Sequence, residues 1–144
     1  MNQYFEQMVL SASPVELIRL LYQKAIASTR NAREHLRCGR IPERCSAINN
    51  AYLILGELDR ALREEEAPEL AKRLRALYVY MQGRLLEANL KQQDEPLGDV
   101  LGLLITLQEA WDAPRSADTE AQPANGWSPA NRGADDQCSI AISA

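Results

Sequence analysis

The sequence of 144 residues has a single histidine and no glycine-rich phosphate loop, and it offers little that suits acid–base or nucleophilic chemistry. It contains no Ser-His-Asp set, and its acidic run at Glu64–Glu66 is typical of a solvated helix end. Active sites need titratable groups gathered in a cleft, so these absences count against a catalyst. The sequence therefore predicts a protein that is not an enzyme and uses no cofactor.

Histidine and cysteine, the usual ligands of structural zinc, are scarce as well. His35, Cys38 and Cys45 flank a predicted loop and are the set that comes nearest to a ligand cluster. A fourth ligand at a matching spacing is missing, and structural zinc sites are almost always four-coordinate. We therefore expect no metal site.

The chain also lacks a surplus of basic residues and a long apolar run. The formal net charge is -4 and the basic residues are scattered, so no positive surface would attract nucleic acid. No apolar stretch approaches the roughly 20 residues of a membrane span. The N-terminus lacks the pattern of a signal peptide. We expect a cytoplasmic protein that neither binds nucleic acid nor inserts into a membrane.

Helical periodicity is what the sequence does contain. β-branched residues are sparse and no alternating run is sustained, which disfavours strands. Apolar residues recur at helical spacing in four segments, which cover about residues 14–38, 42–64, 68–91 and 96–112. Short polar connections favour antiparallel neighbours. The sequence therefore predicts an all-α, antiparallel up-down four-helix bundle within residues 1–112.

Both ends of the chain fall outside the predicted helices. Residues 1–12 form an N-terminal arm, which we expect either to pack on the bundle or to cover a groove as a removable segment. Its candidate contact residues are Tyr4, Met8, Val9 and Leu10. Residues 113–144 are rich in Pro, Gly, Ser, Asn and Asp without an apolar period, which predicts a disordered tail. Trp127, Ile140 and Ile142 are the only hints of a contact in that tail.

Some apolar residues lie away from the predicted core stripes. Leu20 is far around the first helix from its stripe, and Leu53 lies opposite the stripe of the second helix. A line on the third helix, opposite its core stripe, consists of Val79, Gly83, Leu86 and Leu90. A helix that is apolar on two sides needs two surfaces to pack against. We predict that these residues bind an amphipathic partner helix, and burial between neighbouring helices is the alternative.

Six motifs recur in order along the predicted bundle. They are Tyr4, ASPxELxxxLYxxAI at Ala12–Ile26, ELDRAL at Glu57–Leu62, LxxLYxYM at Leu74–Met81, LLEAN at Leu85–Asn89, and Trp111. Together they resemble the flagellar secretion chaperone family, FliS. In that family the LY pair commonly continues with Asp-Gly, whereas this chain has Gln23 and Lys24 there.

The resemblance implies a cytosolic export chaperone that performs no chemistry. Such a chaperone binds the C-terminal region of flagellin, prevents its premature polymerisation and assists its delivery to a component of the flagellar export apparatus. The N-terminal arm would move aside on binding. Two alternatives remain, namely a self-associating structural bundle with a homodimer interface on the third helix, and a regulator that binds another amphipathic helix.

The start of the first helix yields a test. Ser13 is the predicted N-cap, Pro14 the first helical residue and Glu16 the partner in a capping box. We expect Ser13→Ala to lower the free energy of unfolding by about 0.5–2 kcal/mol, because an N-cap hydrogen bond is lost. Thermal unfolding followed by circular dichroism measures the effect. An unchanged midpoint would show that the cap does not form.

Overall fold

The computed structural model describes residues 13–112, so the predicted N-terminal arm and C-terminal tail lie outside the described residues. Within that range the chain forms four α-helices and no strand, which confirms the all-α prediction. The helices are α1 (Pro14–Arg37), α2 (Ile41–Arg60), α3 (Pro68–Lys91) and α4 (Glu95–Asp112). The bounds of α1, α3 and α4 agree with the predicted ones to within one residue.

Helix α1 begins and ends where the sequence pattern indicates. The side chain of Ser13 accepts a hydrogen bond from the backbone N–H of Glu16 at 3.2 Å. After the helix, Gly39 adopts a φ of 74°, which is a left-handed conformation that glycine reaches without a Cβ clash. The N–H of Arg40 then donates to the carbonyl of His35 at 2.9 Å, and the N–H of Gly39 donates to the carbonyl of Leu36 at 3.3 Å. These bonds form a Schellman motif, which satisfies carbonyls at the end of the helix and turns the chain into α2.

The predicted end of α2 was wrong. The helix stops at Arg60 rather than near residue 64. The predicted helix would have ended at Glu64, with Glu65 and Glu66 directly after it, and carboxylates at that end oppose the helix dipole. No apolar residue after Leu62 holds that segment to the core, so the acidic run forms a turn instead.

Helices α1 and α4 run antiparallel. Arg33, late in α1, pairs with Asp94 just before α4, with a nitrogen–oxygen distance of 2.7 Å. At the other end, Nε of Arg19 lies 3.1 Å from Oδ1 of Asp112, close enough for an ion pair but misaligned for a hydrogen bond. The start of α1 therefore lies beside the end of α4.

Helices α2 and α3 are antiparallel as well. Arg44 near the start of α2 donates to Asn89 near the end of α3 at 3.0 Å. Arg75 near the start of α3 donates to Asp59 near the end of α2 at 2.8 Å. Since α3 packs on α4 and α1 packs on α2, the four helices close into a ring of neighbours. This arrangement is the up-down bundle that the sequence predicts.

A hydrogen bond between two buried tyrosines crosses the core. The hydroxyls of Tyr22 on α1 and Tyr78 on α3 are 2.6 Å apart, and both side chains are almost completely buried. The surrounding core is apolar and includes Leu55, Met81 and Leu85. Burial disfavours the charged phenolate and raises the pKa of both tyrosines. The pair therefore stays protonated and ties together two helices on opposite corners of the bundle.

The helical pattern predicts that Leu70 belongs to the core stripe of α3, which also contains Leu74, Leu77, Met81, Leu85 and Ala88. That prediction was wrong for Leu70, which is exposed. It lies in the first turn of α3, at the end of the bundle where α2 and α4 also finish. Few neighbouring side chains remain there to cover it. Leu77 on the same stripe is half-buried and packs against the core.

The tyrosine pair predicts a loss of stability in alkali. Each tyrosine ionises near pH 10 in the unfolded chain but at higher pH in the folded one, so its contribution is complete below about pH 10 and is lost above it. We expect a loss of up to about 1.4 kcal/mol per tyrosine for each pH unit above about 10. Urea unfolding at a series of pH values measures the slope.

The control for this slope is the double variant Tyr22→Phe/Tyr78→Phe, which lacks both hydroxyls. Its stability should fall less steeply above about pH 10, and equal slopes for both proteins would contradict the assignment. At neutral pH, Tyr22→Phe alone should cost about 1–3 kcal/mol, since the hydroxyl of Tyr78 loses its buried partner. The double variant should be less destabilised than that single variant.

Candidate partner-binding face

The residues predicted to bind a partner on α2 and α3 lie at the surface. The exposed fractions of these side chains are Leu53 56%, Val79 60%, Leu86 48% and Leu90 78%. Gly83 is exposed between the α3 side chains. Single exposed apolar residues are normal in soluble proteins, but a continuous line along three turns of one helix is not.

The line on α3 lies on the side that faces α2. The side chain of Gln82 donates to the backbone carbonyl of Tyr52 on α2 at 3.1 Å, which gives the direction of α2. At about 100° per residue, the line is rotated about 40–100° from Gln82, away from the core. Val79 and Leu86 therefore stand at the outer edge of the contact between α2 and α3.

Leu53 belongs to the same surface. The neighbouring glycine, Gly56, lies opposite Gln82, since a Cβ at Gly56 would be 3.8 Å from the side-chain nitrogen of Gln82. Leu53 precedes Gly56 by three residues, so both lie on one side of α2. We call the resulting surface the α2/α3 face, which consists of Leu53, Gly56, Val79, Gly83, Leu86 and Leu90.

The two glycines of the α2/α3 face are not required by packing. A Cβ at Gly83 would have no heavy atom within 4 Å among the described residues, and one at Gly56 would make only ordinary contacts. A glycine inside a helix costs roughly 0.5–1 kcal/mol relative to alanine. Packing within the bundle does not offset this cost. A partner helix that approaches closely from outside would need the space that the missing side chains leave. Sequence reasoning identified Gly83 and missed Gly56, although a mid-helix glycine is a usable signal.

The other side of α3 differs in chemistry. Arg84 donates to Glu87, Glu95 and Asp99 at 3.0, 2.7 and 3.0 Å, and Tyr80 donates to Asp99 at 2.6 Å. The hydrogen bond to Glu87 is the largest cause of the raised pKa of Arg84. The outer edge between α3 and α4 is therefore covered by polar groups that already have partners, unlike the α2/α3 face.

Known proteins resemble this chain along the whole bundle. The family model described as "Flagellar protein FliS" matches residues 1–118. The flagellar secretion chaperone FliSB of Pseudomonas aeruginosa is 38% identical over 116 residues, which covers 78% of this chain and 92% of that protein. This chain belongs to the FliS family of flagellar secretion chaperones.

More distant relatives carry the same description. The flagellar secretion chaperone FliS of Salmonella typhimurium is 37% identical over 107 residues, which covers 74% of this chain and 79% of that protein. The FliS of Bacillus subtilis is 29% identical over 108 residues, which covers 75% of this chain and 80% of that protein. The family match ends at residue 118, so most of the predicted C-terminal tail lies beyond it.

The FliS-type motifs contribute to both the core and the α2/α3 face. The two LY pairs end in Tyr22 and Tyr78, which form the buried hydrogen bond. In the LLEAN motif, Leu85 is buried, Leu86 is exposed on the α2/α3 face, and Asn89 accepts the hydrogen bond from α2. One short motif therefore specifies core packing, an exposed contact residue and the attachment of α3 to α2.

The remaining predicted site residues lie elsewhere. Leu20 is half-buried on α1, and α1 occupies the corner of the bundle diagonal to α3. It therefore does not join the α2/α3 face. Tyr4, Met8, Val9 and Leu10 lie outside the described residues. Binding by these five residues stays a prediction.

Within residues 13–112, no helix is both long and apolar enough to cross a membrane. No group of three or more His, Cys, Asp or Glu side chains in that range is placed to hold a metal ion.

Proposed function

We propose that this FliS-family chain is a cytosolic export chaperone that binds the C-terminal region of flagellin on the α2/α3 face. The observation that carries this proposal is the exposed line of Val79, Leu86 and Leu90 beside Leu53, with glycines between them. An apolar surface of this shape suits the apolar side of an amphipathic helix. The coarser role, a flagellar secretion chaperone, is that of the family.

The dimensions of the line suit about three turns of a partner helix. From Val79 to Leu90 the axis of α3 rises about 16 Å, at 1.5 Å per residue. A partner helix that lies along it would present anchors at positions i, i+3 or i+4, and i+7. Gly56 and Gly83 would let its backbone approach α2 and α3 more closely than larger side chains allow.

This mode of binding accounts for the chaperone role without chemistry. An apolar segment that pairs with other filament subunits after export would be covered by the α2/α3 face before export. Its ordering on the chaperone costs conformational entropy, so binding can be specific and still reversible. Release to a component of the export apparatus then needs a competing contact rather than a catalysed step.

Replacement of two exposed anchors tests the α2/α3 face directly. We expect Val79→Ser/Leu86→Gln to weaken binding of a flagellin C-terminal peptide more than tenfold, because two apolar anchors contribute roughly 1.5–3 kcal/mol each when fully buried. The stability of the chaperone should change little, since both side chains are exposed. Isothermal titration and circular dichroism melts provide the two measurements.

The matched control is Leu85→Ala, on the opposite side of α3. Leu85 is completely buried, so the cavity should cost about 2–5 kcal/mol of folding free energy. Its binding at a temperature where it stays folded should be almost normal. If the surface double variant unfolds as readily as this control, or binds the peptide normally, the proposed face is wrong.

Gly83→Ala separates the demands of folding from those of binding. The added methyl group meets open space, so helix propensity should raise the free energy of unfolding by about 0.5–1 kcal/mol. Affinity for the flagellin peptide should fall, because the methyl group occupies the proposed groove. Gly102→Ala on α4 is the control, since a Cβ there also meets open space among the described residues. It should stabilise equally and leave affinity unchanged, and equal affinities for both variants would count against close approach at Gly83.

A second copy of this chain is the competing occupant of the α2/α3 face. Sedimentation across a range of concentrations detects a homodimer, and co-purification with flagellin lacking its last segment tests the partner. Flagellin that still binds without that segment would reject the proposed contact. A dimer that Val79→Ser/Leu86→Gln dissociates, without any change in flagellin binding, would favour the structural alternative.

A further inference from the structure

A second groove lies between α1 and α4, on the opposite side of the bundle from the α2/α3 face. Its volume is about 250 Å³. The lining residues are Gln23, Ile26, Ala27, Arg30, Ile105 and Gln108. We call it the α1/α4 groove. The proposed binding of flagellin to the α2/α3 face does not involve it.

The α1/α4 groove combines an apolar surface with polar groups at its edges. The half-buried Ile105 supplies most of the apolar surface, with the small exposed part of Ile26 beside it. Gln23 and Gln108 supply amide groups that can donate and accept. Arg30 has no acidic partner among residues 13–112. An aromatic ring with a polar atom suits this combination, because its face can lie against the guanidinium while its N–H or O–H reaches an amide oxygen.

The C-terminal segment of this chain starts at one end of the groove. α4 ends at Asp112, about one helical turn beyond Gln108, which lines the groove. Residues 113–144 contain a single aromatic residue, Trp127. A flexible chain of 15 residues has a root-mean-square span of about 21 Å, at roughly 5–6 Å times the square root of its length. Trp127 can therefore reach any part of the groove.

Charge also favours this segment. Residues 113–144 carry four acidic and two basic side chains, a net negative charge that complements Arg30. The N-terminal arm also starts near this end of the bundle, but its single charged side chain is Glu6 and it contains no indole.

We propose that Trp127 of the C-terminal tail occupies the α1/α4 groove of its own chain. The indole covers Ile26 and Ile105, its N–H faces the glutamine amides, and Arg30 lies against the ring. The tail thus shields an apolar groove on the side of the chaperone that the α2/α3 face does not use.

Tryptophan fluorescence of the full-length chain tests this proposal. The chain has two tryptophans, so Trp111→Phe leaves Trp127 as the sole emitter. We expect blue-shifted emission and low accessibility to acrylamide. Adding Ala27→Glu places a carboxylate on the exposed edge of the groove, and we expect a red shift and a several-fold rise in the quenching constant. Ala76→Glu, the same change at an exposed position of α3 outside the groove, should leave both unchanged.

Three results would overturn the proposal. They are solvent-exposed emission of Trp127 in the Trp111→Phe protein, an unchanged signal after Ala27→Glu, and emission that depends on protein concentration, which would indicate a second copy. If Trp111→Phe does not fold, the difference spectrum between the native chain and Trp127→Phe reports the same environment.

Discussion

The hydrogen bond between Tyr22 and Tyr78 sets the rotation of α3 about its own axis. With Tyr78 directed into the core at 2.6 Å from its partner, Gln82 and Asn89 face α2, and both bond to it. The same rotation turns Val79 and Leu86 outward. A different rotation of α3 would leave the hydroxyls of both buried tyrosines without a partner, and it would also break the hydrogen bonds to α2. The packing of the core therefore determines which apolar residues of α3 are exposed.

The two outer edges of α3, one toward α4 and one toward α2, differ in whether their side chains have partners within the chain. Toward α4, Arg84 and Tyr80 meet carboxylates at short distances, and that edge is complete within one chain. Toward α2, the polar bonds lie beneath the surface, and the outermost residues are leucine, valine and glycine. Apolar surface that the bundle leaves exposed lowers solubility without stabilising the fold. A binding role gives it a physical reason.

Gly56 and Gly83 are residues that the stability of the fold does not explain. Alanine would be a better helix former at both positions, and the surrounding structure has room for it. Positions where local preference and the observed residue disagree are expected at functional sites, since elsewhere selection has little reason to keep them. The two glycines lie on neighbouring helices and on one face. Their shared location supports the interpretation of the α2/α3 face as one surface.

The order of the apolar residues, the N-cap at Ser13 and the glycine at position 39 determined by themselves that this chain forms a four-helix bundle. They also placed Val79, Leu86 and Leu90 opposite the core stripe of α3, because helical periodicity is a local property. The sequence pattern failed at Leu70 and at the end of α2, where neighbouring helices and the dipole decide. Only the tertiary structure joined Leu53 and Gly56 to the α3 line and separated Leu20 from it. Periodicity assigns a residue to one side of its own helix, whereas packing and the buried tyrosine pair decide which helix that side meets.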